Sequence, residues 1–201
     1  MDDRDFFDKL APSWDKNETL SIPSKINHIL DYFDLRPGQS VLDLGTGTGV
    51  LLPFVAQRIG PTGNITAVDY SSGMIKKAIE KFSGIVPAPL FLNIDFEKDN
   101  INGEFDRIIL YCVYPHLHSP YETLKWLEKV NLKNKGEIFI AFPSDEVFIN
   151  NIHKERHSEG DLLPNAEDLS RVLSDQGLKS RVVSYSPQEY IVAISKNSNF
   201  T

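Results

Sequence analysis

The sequence predicts a single α/β domain in which helices cover both faces of a largely parallel β-sheet. The first observation is an apolar strand at 40–44 that runs into a glycine-rich turn and then into an apolar, helix-compatible segment at 50–59. The second is the alternation of strand-like and helix-like segments along the rest of the chain, which is typical of parallel sheets. The third is a hairpin-like ending, with β-rich runs at 178–186 and 189–195.

Size and composition are those of one ordinary globular domain. The chain has 201 residues, enough to bury a substantial core, and hydrophobic residues make up 41% of it. We therefore expect one domain over 1–201, with an N-terminal helical cap at 1–38 and an α/β core at 39–201.

The net charge and the cysteine content indicate which partners and which cellular compartment to expect. A net charge of −7 and the absence of any Lys/Arg cluster argue against nucleic acid as a partner. Cys112 is the only cysteine, so no intrachain disulfide can form, and a cytoplasmic location is expected. No run approaches the roughly 18 consecutive apolar residues of a membrane span, and no signal peptide is evident. No membrane partner is expected, and the sequence leaves monomer and homodimer open.

The glycine-rich turn predicts a ligand-binding site. Gly45, Gly47 and Gly49 would let the backbone approach a ligand, and the following helix aims free N–H groups at the same place. A dinucleotide-binding fingerprint would need its third glycine at position 50, where this chain has Val50. The fit to a nicotinamide or flavin site is therefore imperfect.

Asp43 lies in the apolar strand two residues before the first of these glycines. A carboxylate buried there without a partner costs several kcal/mol. A cationic or amine-bearing ligand would compensate this cost.

The residues around the turn resemble a known family. Asp-Leu-Gly-Thr-Gly-Thr-Gly at 43–49 and Ala67-Val68-Asp69 at the end of the second strand resemble the first two motifs of class I S-adenosylmethionine-dependent methyltransferases. The opening Phe7-Asp8, Ala11 and Trp14-Asp15 is similar to that of small-molecule methyltransferases related to the ubiquinone and menaquinone enzymes.

The resemblance implies a three-layer α/β/α Rossmann-like fold, with a seven-stranded mixed sheet whose last strand is antiparallel. It also implies S-adenosylmethionine as the cofactor and a small molecule as methyl acceptor. The cofactor-binding residues that it implies are Asp43 at the ammonium group, Gly45, Thr46, Gly47 and Gly49 at the methionine and ribose, Asp69 at the ribose hydroxyls, Tyr70 and Met74 beside adenine, Asp95 at the adenine amino group, and Phe96 against the ring. Tyr111 is added because it lies at the carboxyl end of the fourth strand, where it should face the transferred methyl group.

Several of these assignments have plainer alternatives. Asp69 lies 24 residues after Gly45, a spacing suited to ribose binding, but it could instead be an exposed turn acid that caps the next helix. Ser71 or Ser72 is the better cap for the helix that runs to residue 82. Met74 could be core packing, and Asp95 a turn residue.

The cap at 1–38 is expected to contain two helices. Phe6, Phe7 and Leu10 fall on one side of the first, and Pro23 begins the second, which runs to residue 35. The helices either dock on the sheet or, as the favoured alternative, place Phe6, Phe7 and Trp14 as a lid over the ligand.

The loop after the fourth strand carries the candidate base. Strands are expected at 87–94 and 104–113, and chemistry in open α/β sheets lies beyond the carboxyl ends of such strands. His116 is the first candidate for a general base, because imidazole titrates near neutral pH. A solvent-exposed loop histidine is an equal alternative for His116 and the favoured one for His118.

The second half of the chain supplies a second candidate. A helix at 120–132 should bury Leu124, Leu127 and Val130, followed by a turn at 133–136 and a fifth strand at 137–142. The polar segment after it is expected to be a long functional loop, in which His153 contacts substrate and is the second candidate base.

His153 and His157 lie four residues apart, with Asp161 one turn further on, so a metal site is an alternative. Coincidence is favoured and no metal is predicted, and Arg156 could instead bind a substrate anion. A helix is expected at 166–176 and a frayed tail at 197–201.

The predicted reaction is methyl transfer to a small molecule, mainly by in-line positioning. Two alternatives remain: a non-catalytic S-adenosylmethionine-binding module, and an NAD(P)-dependent oxidoreductase, which Val50 disfavours.

Overall fold

A computed structural model describes residues 3–17, 22–155 and 162–196. Its strands are β1 (Ser40–Leu44), β2 (Asn64–Asp69), β3 (Leu90–Asn93), β4 (Phe105–Tyr111), β5 (Leu132–Phe142), β6 (Lys179–Ser186) and β7 (Glu189–Ser195). The α-helices are α1 (Asp3–Leu10), α2 (Pro23–Leu30), α3 (Leu52–Ile59), α4 (Ser72–Phe82), α5 (Pro120–Trp126), α6 (Glu146–Glu155) and α7 (Ala166–Asp175). Within these ranges no helix is long and apolar enough to cross a membrane.

The seven strands form one sheet in the order β3-β2-β1-β4-β5-β7-β6. The pairs from β3 to β5 are parallel, whereas β7 lies between β5 and β6 and is antiparallel to both. The strand order reverses between β1 and β4. The connections that follow these two strands therefore run to opposite faces of the sheet, and a crevice forms between them at the carboxyl ends of the strands. This topology confirms the predicted Rossmann-like mixed sheet.

Helices cover both faces of the sheet, as predicted. In β4, Ile108 and Leu110 belong to the cluster that buries α5 and α7, whereas Ile109 and Tyr111 belong to the cluster that buries α2 and α3. This alternation follows from the two-residue period of a strand. Pro23 begins α2, Ser71 caps α4, and Gly177 follows α7 with a φ of 93°, as the sequence indicates.

Three predictions about the second half are corrected. Val130 is 37% exposed, and Asn131, at 1%, takes the buried position instead. Asn131 lies seven residues after Leu124, nearly two helical turns, and its amide donates to the carbonyls of Ile101 and Gly103 at 2.8 and 3.0 Å. These two hydrogen bonds satisfy the NH₂ group at a position where the sequence suggested an apolar residue, while Oδ1 is buried without a hydrogen-bond partner among the described residues.

The expected turn at 133–136 instead lies within β5, where Lys135 has a φ of 66° and the pairing with β4 shifts between Phe105 and Arg107. The expected long loop after β5 contains helix α6. Asp145 accepts a hydrogen bond from the N–H of Phe148 and so caps the first turn of this helix, while Ile149 faces the core. Arg156, His157, Asp161 and the tail at 197–201 lie outside the described residues.

Candidate functional site

A cavity of about 150 Å³ opens at the carboxyl ends of the central strands. The predicted site residues that line it are Asp43, Gly45, Thr46, Gly47, Asp69, Tyr70, Met74, Phe96, Tyr111, His116 and His153. Gly49 and Asp95 are not among its lining residues. Sequence reasoning missed others, including Phe142, Ile149 and Ile152. Phe142 ends β5 as Tyr111 ends β4, so the rule that pointed to Tyr111 also covers it.

The three glycines of the turn have different tasks. All have positive φ, and the N–H groups of Gly45 and Thr46 both donate to the carbonyl of Val68, which fastens the turn to β2. A Cβ on Gly45 would lie 2.5 Å from Val113, and one on Gly49 would lie 2.8 Å from Phe82, so these two glycines are needed for packing. Only at Gly47, of the three, would a Cβ meet no atom within 4 Å. Gly47 is therefore the glycine with open space for a ligand beside its backbone.

Asp43 is buried at the base of the cavity, with 2% of its surface exposed. Its Oδ2 accepts a 2.7 Å hydrogen bond from the hydroxyl of Thr46. Burial, reinforced by the nearby charge of Asp69, raises the pKa of Asp43 to about 7, although the hydrogen bond from Thr46 opposes this rise. The site thus favours a positively charged ligand group, which would stabilise the ionised carboxylate.

Asp69 organises the backbone around the cavity. Its Oδ2 accepts from the N–H of Gly47 at 2.8 Å, and its Oδ1 accepts from the N–H of Ser71 at 2.9 Å. Burial raises the pKa of Asp69 to about 6, with a further contribution from Asp8, against the effect of the two hydrogen bonds. A carboxylate has about four acceptor positions, so two remain for ligand hydroxyls. Ser71, rather than Asp69, caps α4, since its Oγ accepts from the N–H of Met74.

The ion pairs among the described residues include neither Asp43 nor Asp69. The cavity therefore holds two buried carboxylates that are satisfied by hydroxyl and backbone donors. This donor set leaves room for a ligand with one cationic group and several hydroxyls.

The loop after β3 places only one of its two predicted residues in the cavity. Phe96 lines it, whereas the Asp95 carboxylate accepts hydrogen bonds from the Lys98 ammonium at 2.7 Å and from the N–H of Glu97 at 3.2 Å. The predicted contact of Asp95 with adenine stays a prediction. Met74 is 1% exposed and also lines the cavity, so it packs in the hydrophobic core and forms part of the cavity wall.

The N-terminal cap is fastened to the loops around the cavity. Asp8 accepts hydrogen bonds from the Ser71 hydroxyl at 2.6 Å and the Gly73 N–H at 2.8 Å. Ala11 is 4% exposed, and a Cβ on Gly73 would lie 3.1 Å from its own Cβ, so small residues are needed on both sides of this contact.

Two aromatic residues of the cap reach the cavity. Phe7 and Trp14 line it and contact each other edge to face, with ring centroids 5.7 Å apart. The cap residues thus dock on the core and also form part of the cavity wall. Phe6 contacts Phe7 and is not among the lining residues.

Two imidazoles meet at one wall of the cavity. His116 is in the 3-10 helix Tyr114–His116 after β4, and His153 is in α6; their ring centroids are 5.0 Å apart. Phe7 packs edge to face on His116 at 5.2 Å. His118 instead is exposed and contacts the Glu97 carboxylate at 3.0 Å. In the described ranges no three His, Cys, Asp or Glu side chains are grouped so that they could hold a metal.

Cys112 follows β4 with a φ of 58°, a conformation that is rare outside glycine, and its N–H donates to the carbonyl of Ala141. Burial raises the pKa of its thiol far above the usual range. The thiol therefore stays protonated at neutral pH and is a wall of the cavity rather than a nucleophile.

Comparison with known proteins shows what this chain is similar to. Residues 41–136 match the family model described as a methyltransferase domain. The chain is 30% identical over 157 residues to 2-phytyl-1,4-naphtoquinone methyltransferase of Nostoc sp., covering 72% of this chain and 67% of that protein. It is 28% identical over 143 residues to malonyl-[acyl-carrier protein] O-methyltransferase of Anoxybacillus flavithermus, covering 71% of this chain and 52% of that protein. It thus spans about half to two thirds of the length of these relatives.

The fold also matches solved structures. One is from a complex between a methyltransferase and the Trm112 methyltransferase activator of Haloferax volcanii, with a TM-score of 0.80 at 18% identity, covering 98% of this chain and 99% of that one. From the matching domain, the relatives and the fold together, the chain belongs to the class I S-adenosylmethionine-dependent methyltransferases.

Proposed function

We propose that this protein transfers the methyl group of S-adenosylmethionine to a small-molecule acceptor in the cavity at the carboxyl ends of β1, β2 and β4. The observation that supports this most is the buried Asp43 carboxylate beside the open space at Gly47. When bound, S-adenosylmethionine supplies a methyl group on a positively charged sulfur, which is reactive towards nucleophiles without further activation.

The residues present fit this cofactor. Asp43 would receive the ammonium group, and the free acceptor positions of Asp69 would receive the ribose hydroxyls. Gly45, Thr46 and Gly47 would lie along the methionine and ribose, and Tyr70, Met74 and Phe96 would surround adenine. Tyr111 would face the acceptor.

The protein would contribute mainly by orienting the two reactants and by excluding water from the cavity. Phe7 and Trp14 of the cap would cover the bound cofactor, and Phe142 and Ile149 supply further apolar walls. A covered, apolar site excludes water that would compete as a nucleophile, and it holds the acceptor in line with the methyl group.

We also propose a cytoplasmic location, which the single cysteine supports. The acceptor is proposed to be a small molecule, and no nucleic-acid partner is proposed, in line with the negative net charge. The structurally similar methyltransferase from the Trm112 complex raises a protein activator as a separate hypothesis for this chain. Assays with the small molecules of a cell extract, with and without its protein fraction, distinguish a need for such an activator.

The test is transfer of a radiolabelled methyl group from S-adenosylmethionine to the small molecules of a cell extract. The wild-type protein should yield labelled small-molecule product, and the Asp43→Asn variant should yield little. Tight binding of the cofactor without any labelled product would instead support the non-catalytic binding module.

A further inference from the structure

We infer that Glu97 is a positioning residue of this enzyme, because its carboxylate holds the loop after β3 and the loop after β4 in a fixed arrangement. The loop after β3 contributes Phe96 to the cavity, and the loop after β4 contributes Val113 and His116. Glu97 is not among the lining residues, so it would act through these neighbours. The inference rests on the proposed function, in which Phe96 lies against adenine and the acceptor binds in the same cavity.

Hydrogen bonds of the sheet do not join these two loops, because β2 and β1 lie between β3 and β4. The Glu97 carboxylate makes the connection instead. Its Oε2 accepts from the N–H of His118 at 3.0 Å, and its Oε1 accepts from the N–H of Ser119 at 2.9 Å and from the hydroxyl of Thr123 at 3.1 Å. The ring Nδ1 of His118 also lies 3.0 Å from Oε2. A single side chain of the first loop therefore links it to the second loop and to the start of α5.

These partners stabilise the ionised form of Glu97 although its side chain is only 13% exposed. Burial alone would raise the pKa of Glu97. The hydrogen bonds from the N–H groups of Ser119 and His118, from the His118 ring and from Thr123 outweigh burial and lower this pKa. A carboxylate has about four acceptor positions, and these partners fill them. Hydrogen bonds to a charged acceptor are stronger than neutral ones, so the link is a firm one.

The position of Phe96 depends on that of Glu97. The N–H groups of Lys98 and Asp99 both donate to the carbonyl of Asp95, at 2.9 and 2.7 Å, so residues 95–99 form a closed turn. Phe96 and Glu97 are neighbours inside this turn. A shift of the Glu97 carboxylate would therefore move the Phe96 ring in the cavity.

The loop after β4 is equally compact. The N–H of His116 donates to the carbonyl of Val113 at 2.8 Å, and the N–H of Leu117 donates to the carbonyl of Tyr114 at 3.2 Å. Leu117 is 8% exposed and packs in the core. The two N–H groups that donate to Glu97 follow directly, at positions 118 and 119. The carboxylate therefore fixes the end of the segment that places Val113 and His116 in the cavity wall.

A glutamine could not replace this carboxylate. Each of its two oxygens accepts from a different backbone N–H, that of His118 or that of Ser119. In Glu97→Gln an NH₂ group takes the place of one oxygen, so that a donor faces a donor. The shape of the side chain is kept, and the variant should fold with one backbone N–H left without its acceptor.

The first test uses the protein without any ligand and measures amide hydrogen exchange by NMR. In Glu97→Gln, protection of the His118 or the Ser119 amide should fall about tenfold or more. His118→Ala is the matched control, because it removes an exposed ring and keeps both backbone donors. Protection of the Ser119 amide should change less than about twofold in this control. Unchanged protection in Glu97→Gln would overturn the inference.

The second test is a double-mutant cycle on S-adenosylhomocysteine affinity, measured by calorimetry. Glu97→Gln should weaken binding about tenfold in the wild-type background. It should weaken binding less than about twofold in the Phe96→Ala background, because no ring is then left to be misplaced. A residue that only stabilises the fold would have the same effect in both backgrounds, and that result would overturn the positioning role.

Asn131→Ala is the control for lost stability. Asn131 holds the other end of the connection between β3 and β4, through the carbonyls of Ile101 and Gly103. This variant should unfold more easily than the wild type and yet change S-adenosylhomocysteine affinity less than about twofold. An equal loss of affinity in Asn131→Ala and Glu97→Gln would contradict a specific role of Glu97.

The labelled-transfer assay tests the loop after β4. At saturating S-adenosylmethionine, Glu97→Gln should lower the rate of transfer about fivefold or more, because the wall that contains Val113 and His116 is also displaced. A higher KM for S-adenosylmethionine with an unchanged saturated rate would contradict the link to this loop. If the wild type binds no S-adenosylhomocysteine, the proposed function fails, whereas the amide exchange still decides whether Glu97 holds the two loops together.

Discussion

The carboxylate of Asp15 in the N-terminal cap accepts a 2.6 Å hydrogen bond from the hydroxyl of Thr48 in the glycine-rich turn. The same carboxylate accepts from the Lys81 ammonium of α4 at 2.9 Å. Asp8, also in the cap, accepts from the hydroxyl of Ser71, whose N–H donates to Asp69. The cap is therefore hydrogen-bonded both to the glycine-rich turn and to the loop after β2.

Removing the Asp8 carboxylate should loosen the cap. In Asp8→Ala, the hydrogen bonds from Ser71 and Gly73 are lost, at a cost of about 1 kcal/mol because the site is partly exposed to water. Amide exchange over residues 3–17 should become faster, and S-adenosylhomocysteine affinity should fall several-fold. Asp5→Ala, an exposed change in the same helix, is the matched control. Equal exchange in the two variants would mean that Asp8 does not hold the cap.

Substitutions at two glycines of the turn should have different effects, one mainly on the stability of the protein and the other mainly on ligand binding. Gly49→Ala places a Cβ 2.8 Å from Phe82 at a positive φ, so it should lower the free energy of unfolding by about 3 kcal/mol. Gly47→Ala meets no protein atom and should cost only about 1 kcal/mol of stability, yet it should weaken S-adenosylhomocysteine binding about tenfold or more. Thermal unfolding and calorimetry measure the two effects. The opposite ranking would show that Gly47 does not face the ligand.

Asp43→Asn should stabilise the ligand-free protein at high pH. The folded pKa of Asp43, about 7, lies above its unfolded value of 3.8, so the folded state binds an extra proton between these pH values. The wild-type protein therefore loses free energy of unfolding as the pH rises from about 4 to about 7, because Asp43 must give up its proton inside the folded protein. Above about pH 8 the variant should gain a few kcal/mol of unfolding free energy, and below about pH 4 the gain should vanish. A gain that is independent of pH would contradict a buried, strained carboxylate.

Asn131 and Val130 test the corrected helix register. Asn131→Ala leaves the carbonyls of Ile101 and Gly103 without their donor and should cost about 1–3 kcal/mol. Val130→Ala, at an exposed position, should change the unfolding free energy by less than about 0.5 kcal/mol. Urea denaturation measures the free energy of unfolding of both variants. A larger loss of this free energy in Val130→Ala than in Asn131→Ala would mean that Val130 is the buried residue, as the apolar pattern of the sequence suggests.

The sequence predicted the parts of the fold that local chemistry specifies. The apolar β1, the glycines after it and the acid ending β2 place Asp43, Gly47 and Asp69 in one cavity, because parallel strands end at the same edge of the sheet. Ser71 as the cap of α4 and the closing hairpin follow from equally local signals.

The rest depended on contacts between distant residues. Helix α6 has a polar sequence, and its stability comes from Ile149 in the core and from Asn150, which bonds both backbone groups of Leu163. Asn131 can be buried because the fold places the carbonyls of Ile101 and Gly103, from a distant loop, within hydrogen-bonding distance of its amide. The approach of His153 to His116 likewise required α6, since a loop would not fix the distance between their rings.

Calorimetry with S-adenosylhomocysteine tests most directly whether the cavity is a cofactor site. The wild type should bind with micromolar affinity, and NAD should not bind. Asp43→Asn and Asp69→Ala should each weaken binding by about 1–3 kcal/mol, because each removes a charged hydrogen-bond acceptor from the site. Tighter binding of NAD, or equal affinity in the wild type and both variants, would contradict the assignment of this cavity to S-adenosylmethionine.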